Sequence, residues 1–297
     1  MSLEGRVAIV TGAGGGLGRA HALFLASQGA KVLVNELAPD AADRVVAEIT
    51  AAGGQALTGV ASVTDEAAVA AMIRRVMEQW GRIDILVNNA GILRDKSFAK
   101  MSLDDFRLVL DVHLIGAVIC TKAVWDIMRG QHYGRVILTT SSTGLYGNFG
   151  QANYGAAKMA LVGLMQTLAI EGEKYDIRVN CLAPSAATQM TRGVLSEPSL
   201  KLLDPALVSP ALLLLAGTDA PTRTILCAGA GHFACANVTL SRGHYIGAAA
   251  DTAEQVVTHW EQISDRTDDT VPARGFTQAE RELASAGLPA SMAIVQR

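Results

Sequence analysis

Tyr154 and Lys158 are the residues whose types and spacing most directly suggest chemistry. In a helix, residues four apart lie on one face, about one turn from each other. A nearby ammonium favours the phenolate form of tyrosine, and a phenolate could accept the proton of an alcohol while hydride leaves its carbon. Lowering a phenol pKa from about 10 toward neutrality requires roughly 3–4 kcal/mol. The pair predicts a base, although this spacing alone is common.

A pair of serine hydroxyls precedes the tyrosine along the chain. Ser141 and Ser142 end a predicted strand, 13 and 12 residues before Tyr154. A hydroxyl at this place could hold a substrate oxygen and stabilise the charge that develops on it. We therefore expect Ser141 to act with Tyr154 and Lys158.

A glycine-rich turn lies near the N-terminus, where the sequence reads Thr-Gly-Ala-Gly-Gly-Gly-Leu-Gly over residues 11–18. It directly follows an apolar strand pattern and opens a helix pattern. Glycines let the backbone turn sharply and approach a pyrophosphate, and the helix N-terminus offers free N–H groups. The position of this turn predicts dinucleotide binding by Gly12, Gly16, Leu17 and Gly18.

An acidic residue marks the end of the second predicted strand. Glu36 lies 24 residues after Gly12, where a carboxylate can accept hydrogen bonds from the adenosine ribose hydroxyls. The same carboxylate would repel a 2′-phosphate, and the following Leu37 supplies no positive charge. The sequence therefore predicts NAD as the cofactor in preference to NADP.

Short apolar runs alternate with helical patterns along most of the chain, which predicts an α/β fold: a Rossmann-type, doubly wound parallel sheet of about seven strands with helices on both faces. A helical stripe from Val69 to Trp80 follows Thr64, a candidate N-cap. We expect one dinucleotide-binding and catalytic domain over residues 1–250 and a helical extension of it over 251–297. The predicted strands are Val7–Thr11, Lys31–Asn35, Ala56–Ala61, Ile85–Asn88, Arg135–Ser141, Ile177–Leu182 and Thr224–Ala228.

The composition narrows the class of partner. The 297 residues carry a formal net charge of −3, which gives no electrostatic signature for nucleic acid. The apolar run Leu212–Ala216 is far shorter than the ~20 residues that cross a bilayer. Four cysteines lack metal-site spacing and suggest a reducing compartment. We expect a cytoplasmic protein that acts on a small molecule or an acyl-CoA, without a metal, a nucleic acid or membrane insertion.

These motifs together resemble the short-chain dehydrogenase/reductase family, in the right order across residues 7–231. The turn matches T-G-x-x-x-G-x-G, Tyr154 and Lys158 match Y-x-x-x-K, and Ser141 has the usual offset. The resemblance implies that a further set of residues binds the cofactor: Ser62, Val63, Asn89, Ala90, Gly91, Tyr154, Lys158 and Pro184. Ser62 stands where the family usually has Asp, which weakens a side-chain contact with adenine. His113 replaces the family's catalytic Asn, and is either a member of a proton relay or a packed helix histidine.

Longer stretches, including Asn88–Phe98 and Tyr146–Lys158, resemble the family's (3R)-hydroxyacyl-CoA dehydrogenase branch. The implied reaction is oxidation of a secondary alcohol to a ketone, with a (3R)-3-hydroxyacyl-CoA as substrate. The alternatives are a steroid dehydrogenase, an NADPH-dependent 3-ketoacyl reductase, and a catalytically idle NAD-binding module. Arg94, Arg192 and Arg242 are candidate partners for CoA phosphates or are solvated surface charges.

The resemblance also implies a homodimer or homotetramer, because family members commonly pair through the helices that follow the fourth and fifth strands. In this chain those helices carry six large apolar residues: Val118, Ile119, Trp125, Leu161, Leu164 and Leu168. The same residues could instead pack on the sheet, as most apolar helix stripes do.

Overall fold

The structure, a computed structural model, describes residues 2–187 and 196–288. Within them, eight strands form one sheet in the order β3-β2-β1-β4-β5-β6-β7-β8. All neighbouring pairs are parallel except β7 and β8, which are antiparallel. The strands are β1 Val7–Val10, β2 Lys31–Glu36, β3 Ala56–Val60, β4 Ile85–Asn88, β5 Gly134–Thr139, β6 Ile177–Ser185, β7 Ile225–Gly229 and β8 His232–Ala236.

Helices connect the parallel strands, and buried side chains form a core on each face of the sheet. The predicted α/β fold with a doubly wound parallel sheet is therefore confirmed. The helices are α1 Gly16–Ser27, α2 Pro39–Ala51, α3 Glu66–Trp80, α4 Leu103–Leu110, α5 Gly116–Gln131, α6 Ser142–Tyr146, α7 Ala152–Gly172, α8 Glu197–Leu202, α9 Ala211–Ala216, α10 Thr252–Thr258, α11 Trp260–Ser264 and α12 Phe276–Ser285.

Strand β1, the first along the chain, lies inside the sheet between β2 and β4. After β1 the chain continues outward through β2 and β3, then returns to β4 on the other side of β1. Two loops therefore leave in opposite directions from the carboxyl ends of β1 and β4, which opens a crevice between them. Crevices of this kind are where open α/β sheets bind ligands.

The eighth strand was not predicted. It is joined to β7 by the two-residue turn Ala230-Gly231, in which both residues have positive φ angles of 49° and 76°. Such a turn matches the twist of an antiparallel hairpin. The glycine-containing turn between two apolar runs was the available signal, but the second run does not alternate between apolar and polar residues.

Local boundaries differ from the prediction in three places. The N-cap of α3 is Asp65 and not Thr64, because the Asp65 carboxylate accepts a hydrogen bond from the backbone N–H of Ala68 at 3.0 Å. Strand β6 extends through Pro184, which pairs with Ala228 of β7, whereas the sequence placed this proline at the start of a loop. The helical extension predicted over residues 251–297 is divided into three short helices, α10, α11 and α12.

A continuous helical run, Leu103–Gln131, contains α4, a π-helical turn at Asp111–Ile115 and α5. By length and composition it is apolar enough to cross a membrane, a test that core helices of globular proteins also pass. Its inner face packs in the core through Ala117, Cys120 and Val124. Several other apolar residues of this run, Leu103, Leu108, Ile115 and Val118, stay exposed.

The chain divides into two compact units, Met1–Ala236 and Asn237–Arg297. The division precedes the boundary predicted at residue 250, because β8 completes the sheet at Ala236. In the second unit, an antiparallel bridge joins Leu240 to Thr270. Arg281 of α12 also donates a hydrogen bond to the carbonyl of Ser241, at 2.9 Å.

Candidate active site

The glycine turn lies at the carboxyl end of β1, next to the segment that follows β4. Gly12 and Gly16 have φ angles of +62° and +50°, which glycine adopts without strain. A Cβ at position 12 would lie 2.8 Å from the Cα of Ala90. A Cβ on Gly18 would overlap the carbonyl oxygen of Gly12 and lie 2.6 Å from Nδ2 of Asn89. Close packing of the turn therefore requires glycine at positions 12 and 18, and the positive φ angle favours glycine at position 16.

Thr11 and Asn89 connect this turn to β4. The Thr11 hydroxyl accepts hydrogen bonds from the backbone N–H groups of Asn89 and Ala90, at 2.9 and 3.0 Å. In return, Nδ2 of Asn89 donates to the carbonyls of Thr11 and Gly12, at 2.9 and 3.1 Å. The Asn89 side chain thus holds the shape of the turn. The cofactor contact that the family resemblance implies for Asn89 stays a prediction.

Glu36, at the end of β2, folds onto the glycine turn. Its Oε2 accepts a hydrogen bond from the backbone N–H of Gly14 at 3.1 Å, and its Oε1 accepts one from Leu37 at 2.7 Å. A Cβ on Gly14 would lie 2.6 Å from Cγ of Glu36, so glycine is needed there as well. A carboxylate can accept about four hydrogen bonds, which leaves capacity for ribose hydroxyls.

The other residues predicted to contact the cofactor differ in the contacts and burial of their side chains. The hydroxyl of Ser62 hydrogen bonds to the hydroxyl of Thr64, at 2.8 Å. Val63 is buried in the core, so only its backbone is available. Gly91 lies against the ring of His113, where a Cβ would lie 2.9 Å from Nδ1. Pro184 is half-buried near the end of β6.

Tyr154 lies in the first turn of α7, and Ser141 is the N-cap of α6. Ser141 lies close enough to the Tyr154 phenol for its hydroxyl to lower the pKa of that phenol, so the structure brings together the predicted base and the predicted orienting hydroxyl. Burial raises the pKa of Tyr154 above its usual value, the Ser141 hydroxyl acts in the opposite direction, and the negative charge of Asp95 raises it further. Ser142, the other candidate serine, is exposed.

Lys158 is almost completely buried one turn along α7. Its ammonium donates a hydrogen bond to the carbonyl of Thr139 at 2.5 Å and lies 5.5 Å from the centre of the Tyr154 ring. The Lys158 carbonyl accepts a hydrogen bond from the Thr140 hydroxyl at 2.6 Å. Burial lowers the pKa of the lysine to about 7. Thr139, the last residue of β5, therefore holds the ammonium of Lys158, and Thr140, the next residue, holds its backbone carbonyl.

His113 lies in the π-helical turn and faces Tyr154. Its Nε2 is 2.8 Å from the carbonyl oxygen of Ile92 and 3.0 Å from the Ile92 nitrogen. Burial, with a smaller contribution from Lys158, lowers the pKa of this histidine to about 3, so the ring is neutral at physiological pH. Its Nδ1 has no hydrogen-bond partner among the described residues. A cavity of about 10 Å³ adjoins His113, Lys158 and Asn88.

The three candidate arginines lie in different parts of the chain. Arg94 is exposed and lies 4.0 Å from Asp105. Arg242 belongs to the second unit and lies 3.8 Å from Asp268. Arg192 belongs to residues 188–195, which lie outside the described part of the chain. Within residues 2–187 and 196–288, there is also no group of three or more His, Cys, Asp or Glu side chains that could hold a metal ion.

Sequence reasoning missed several residues that position this site. Thr11, Gly14 and Thr139 act through hydrogen bonds or close contacts with residues far along the chain. Asn153, immediately before Tyr154, is fully buried and donates from Nδ2 to the carbonyl of Arg94 at 3.1 Å. The only sequence signal for Asn153 was that it is a polar residue next to Tyr154, the candidate base.

The geometry fits a nicotinamide dinucleotide. The turn offers an open approach at Gly15, where a Cβ would meet nothing within 4 Å, and it leads into the N-terminus of α1. Glu36 lies on one side of this turn and the segment after β4 lies on the other. A hydroxyl at the N-cap of α6 and, on the first two turns of α7, a phenol and a buried ammonium lie near the carboxyl end of β5. The arrangement can bind a dinucleotide and move a proton on an adjacent alcohol.

Comparison with known proteins gives a consistent result. A family model described as short chain dehydrogenase matches residues 6–198. Peroxisomal multifunctional enzyme type 2 of Mus musculus is 43% identical over 284 residues, which cover 92% of this chain and 38% of the mouse protein. This chain therefore spans less than half of the length of that relative.

Solved structures agree with the sequence relatives. Full-length peroxisomal multifunctional enzyme type 2 from Drosophila melanogaster superposes with a TM-score of 0.82 at 38% identity, covering 96% of this chain and 50% of that one. A 7α-hydroxysteroid dehydrogenase, solved with NADH and 7-oxo glycochenodeoxycholic acid, gives a TM-score of 0.72 at 30% identity and covers 77% of this chain and 95% of that one. The resemblance stated from the motifs is confirmed.

Proposed function

The chain belongs to the short-chain dehydrogenase/reductase family, and on that premise we propose that it oxidises a secondary alcohol to a ketone with NAD⁺. The observation that carries this proposal is the position of the buried Lys158 ammonium, which donates to the carbonyl of Thr139 at 2.5 Å and lies 5.5 Å from the centre of the Tyr154 ring, with the Ser141 hydroxyl near the same phenol. A hydroxyl, a phenol and an ammonium in one place can bind an alcohol oxygen and remove its proton.

In the proposed mechanism, Tyr154 takes the alcohol proton as a phenolate and Ser141 donates a hydrogen bond to the substrate oxygen. Bound NAD⁺ supplies the hydride acceptor. The Lys158 ammonium stabilises the phenolate and is held in position by the carbonyl of Thr139. Because burial lowers the pKa of Lys158 to about 7, this lysine titrates near neutrality and can also pass a proton.

His113 is proposed as a member of the proton relay, in the position where the family usually has asparagine. The ring is neutral, its Nε2 contacts Ile92, and its unpartnered Nδ1 can accept a hydrogen bond from water. The adjoining cavity of about 10 Å³ is close to the volume that one water requires. This supports an active role over that of a packed helix histidine.

NAD rather than NADP is the proposed cofactor. Glu36 reaches the glycine turn, so its negative charge stands beside the site of the adenosine ribose, and the exposed Leu37 adds no positive charge. The NADH in the related 7α-hydroxysteroid dehydrogenase supports a nicotinamide cofactor in general. The cofactor would be held by the turn, Glu36, the Asn89–Gly91 backbone, the Val63 backbone, Tyr154, Lys158 and Pro184.

The proposed substrate is a (3R)-3-hydroxyacyl-CoA. The extent and identity of the match to peroxisomal multifunctional enzyme type 2 support it, together with the His113-containing segment. A steroid alcohol is the second candidate, supported by the fold of 7α-hydroxysteroid dehydrogenase.

NADH formation with a panel of (3R)- and (3S)-hydroxyacyl-CoAs, steroid alcohols and simple secondary alcohols tests these substrates. We expect kcat/KM to be highest with a (3R)-hydroxyacyl-CoA. Turnover of steroids alone would contradict this substrate assignment. Tight NAD binding without turnover of any alcohol would favour an idle cofactor-binding module, and a preference for NADPH would favour a ketoacyl reductase.

We also infer a homo-oligomer formed through α5 and α7. Val118 of α5 and Met159 and Ile170 of α7 are large apolar residues that stay exposed, while Leu161 is buried in the core. Sedimentation that shows only monomer at micromolar concentration would contradict this. The cytoplasmic location remains a prediction, since the mouse and Drosophila relatives are named as peroxisomal.

A further inference from the structure

The backbone of the segment that follows β4 is hydrogen bonded to residues at the start of α7. The N–H of Lys96 donates to the carbonyl of Gly150 at 2.9 Å. The carbonyl of Arg94 accepts from Nδ2 of Asn153, at 3.1 Å. Because the residues on both sides of Asp95 are held in this way, the position of Asp95 relative to the helix that carries the catalytic tyrosine is fixed.

The Asp95 side chain is fixed as well. Its Oδ2 accepts a hydrogen bond from Nε2 of Gln151, the N-cap residue of α7, at 2.8 Å. The amide oxygen of Gln151 accepts from the Thr143 hydroxyl and from Nδ2 of Asn148, each at 3.0 Å. These two donors set the orientation of the amide, so its nitrogen faces the carboxylate. An exposed carboxylate is thereby held in one place beside the active site.

The charge of this carboxylate is not neutralised by an ion pair. The neighbouring cations are directed elsewhere, since Lys96 and Arg94 lie 2.8 and 4.0 Å from Asp105. Across the described part of the chain, no Lys, Arg or His nitrogen lies within 4.0 Å of the Asp95 carboxylate. Its negative charge acts on Tyr154, in the direction that opposes the phenolate. A charge that disfavours the Tyr154 phenolate does not assist the proposed base, so its effect on the charge of the substrate becomes the relevant one.

We propose that Asp95 is a specificity-determining residue, whose fixed negative charge excludes substrates with a carboxylate near the reacting alcohol and admits uncharged acyl derivatives such as thioesters. This inference rests on the proposed function. A free 3-hydroxy acid carries its charge two carbons from the hydroxyl-bearing carbon, whereas a thioester is neutral there. The phosphates of CoA lie at the far end of a long arm, where ions screen charges beyond about 8–10 Å.

The test compares (R)-3-hydroxybutyrate with its N-acetylcysteamine thioester, which share one carbon skeleton and differ in charge. The quantity measured is the ratio of kcat/KM for the thioester to kcat/KM for the acid. In Asp95→Asn we expect this ratio to fall about tenfold, because the amide keeps the shape and a hydrogen bond to Gln151 but has no charge. In Asp95→Glu the ratio should stay close to that of the wild type.

Asp104→Asn is the matched control, because Asp104 is an exposed carboxylate on α4 that pairs with Arg107. Its ratio should equal that of the wild type. A ratio for Asp95→Asn within twofold of the wild type, with the thioester still oxidised, would refute the role of Asp95 alone. If the wild type oxidises neither the thioester nor a (3R)-hydroxyacyl-CoA, the proposed function itself fails.

A second measurement needs no variant and covers the case in which Asp95→Asn does not fold. The ratio of the wild type should fall as NaCl rises from about 20 mM to about 500 mM, because salt screens the repulsion of the acid. A ratio that does not change with salt would therefore contradict the proposal.

Discussion

The ring of His113 meets the ring of Tyr154 edge to face, with centroids 5.2 Å apart and planes at 87°. This contact joins the π-helical turn between α4 and α5 to the first turn of α7. Single π turns inside α-helices are frequent at functional sites. Here the π turn contains His113, whose neutral imidazole faces the proposed base, Tyr154.

Replacing the proposed base should separate catalysis from binding. Tyr154→Phe keeps the ring that packs on His113 but removes the hydroxyl, so we expect kcat to fall at least about 100-fold. The Kd for NADH, measured by fluorescence titration, should change by less than about threefold. Activity within tenfold of the wild type would show that Tyr154 is not the base.

The two adjacent serines should behave differently. Ser141→Ala removes the hydroxyl that lies near the Tyr154 phenol and lowers its pKa, and we expect kcat to fall about 100-fold or more. Ser142→Ala is the matched control, because this hydroxyl is exposed and belongs to the neighbouring residue. Its kcat should stay within about twofold of the wild type. Equal effects of both changes would contradict the assignment of Ser141.

Cofactor preference should depend on Glu36. In Glu36→Arg, a cation would replace the carboxylate beside the glycine turn, so the ratio of kcat/KM for NAD⁺ to that for NADP⁺ should fall by at least tenfold. Glu36→Gln, which keeps the shape without the charge, should give an intermediate ratio. Steady-state kinetics with both cofactors measure these ratios. A ratio that does not change in Glu36→Arg would exclude Glu36 as the determinant.

The glycine turn offers a steric test with an internal control. A methyl group on Gly18 would overlap the Gly12 carbonyl, whereas one on Gly15 would meet nothing within 4 Å. We expect Gly18→Ala to lower the free energy of unfolding by about 1–3 kcal/mol, as overpacking does, and to weaken NADH binding. Gly15→Ala should change the free energy of unfolding by less than about 0.5 kcal/mol. Denaturant unfolding measures both, and equal values would contradict this packing.

Acid should destabilise the fold through its buried histidines. Burial lowers the pKa of His113 and of His21 to about 3, whereas in the unfolded chain both titrate near 6.5. Between these values the unfolded chain binds more protons, so the stability present above pH 6.5 is lost as the pH falls toward 3. Each histidine contributes a slope of up to about 1.4 kcal/mol per pH unit.

Denaturant unfolding at pH 7 and at pH 5 checks this expectation. The free energy of unfolding should fall less between these two pH values in His113→Asn than in the wild type. His232→Asn is the control, because His232 is exposed on β8, and its pH dependence should match that of the wild type. A slope in His113→Asn equal to that of the wild type would mean that His113 titrates normally in the fold.

The sequence by itself predicted the class of fold and the main parts of the site. The alternation of apolar runs with helical stripes predicted a parallel sheet covered by helices. The turn at residues 11–18 and the Tyr154–Lys158 pair were recognisable because their signals are local. A turn needs particular residues at fixed offsets, and two residues four apart share a helix face in any helix.

The tertiary structure decided which partners these residues have. Asn89 bonds to the carbonyl of Thr11, 78 residues before it, and Lys158 bonds to Thr139, 19 residues before it. Asp95 meets Gln151 across 56 residues. Such pairs form where strand ends and helix starts that are distant along the chain meet at one edge of the sheet, and no local periodicity encodes that meeting. The sequence alone thus predicted a base at Tyr154, whereas only the fold placed the Asp95 carboxylate on Gln151, three residues before that tyrosine.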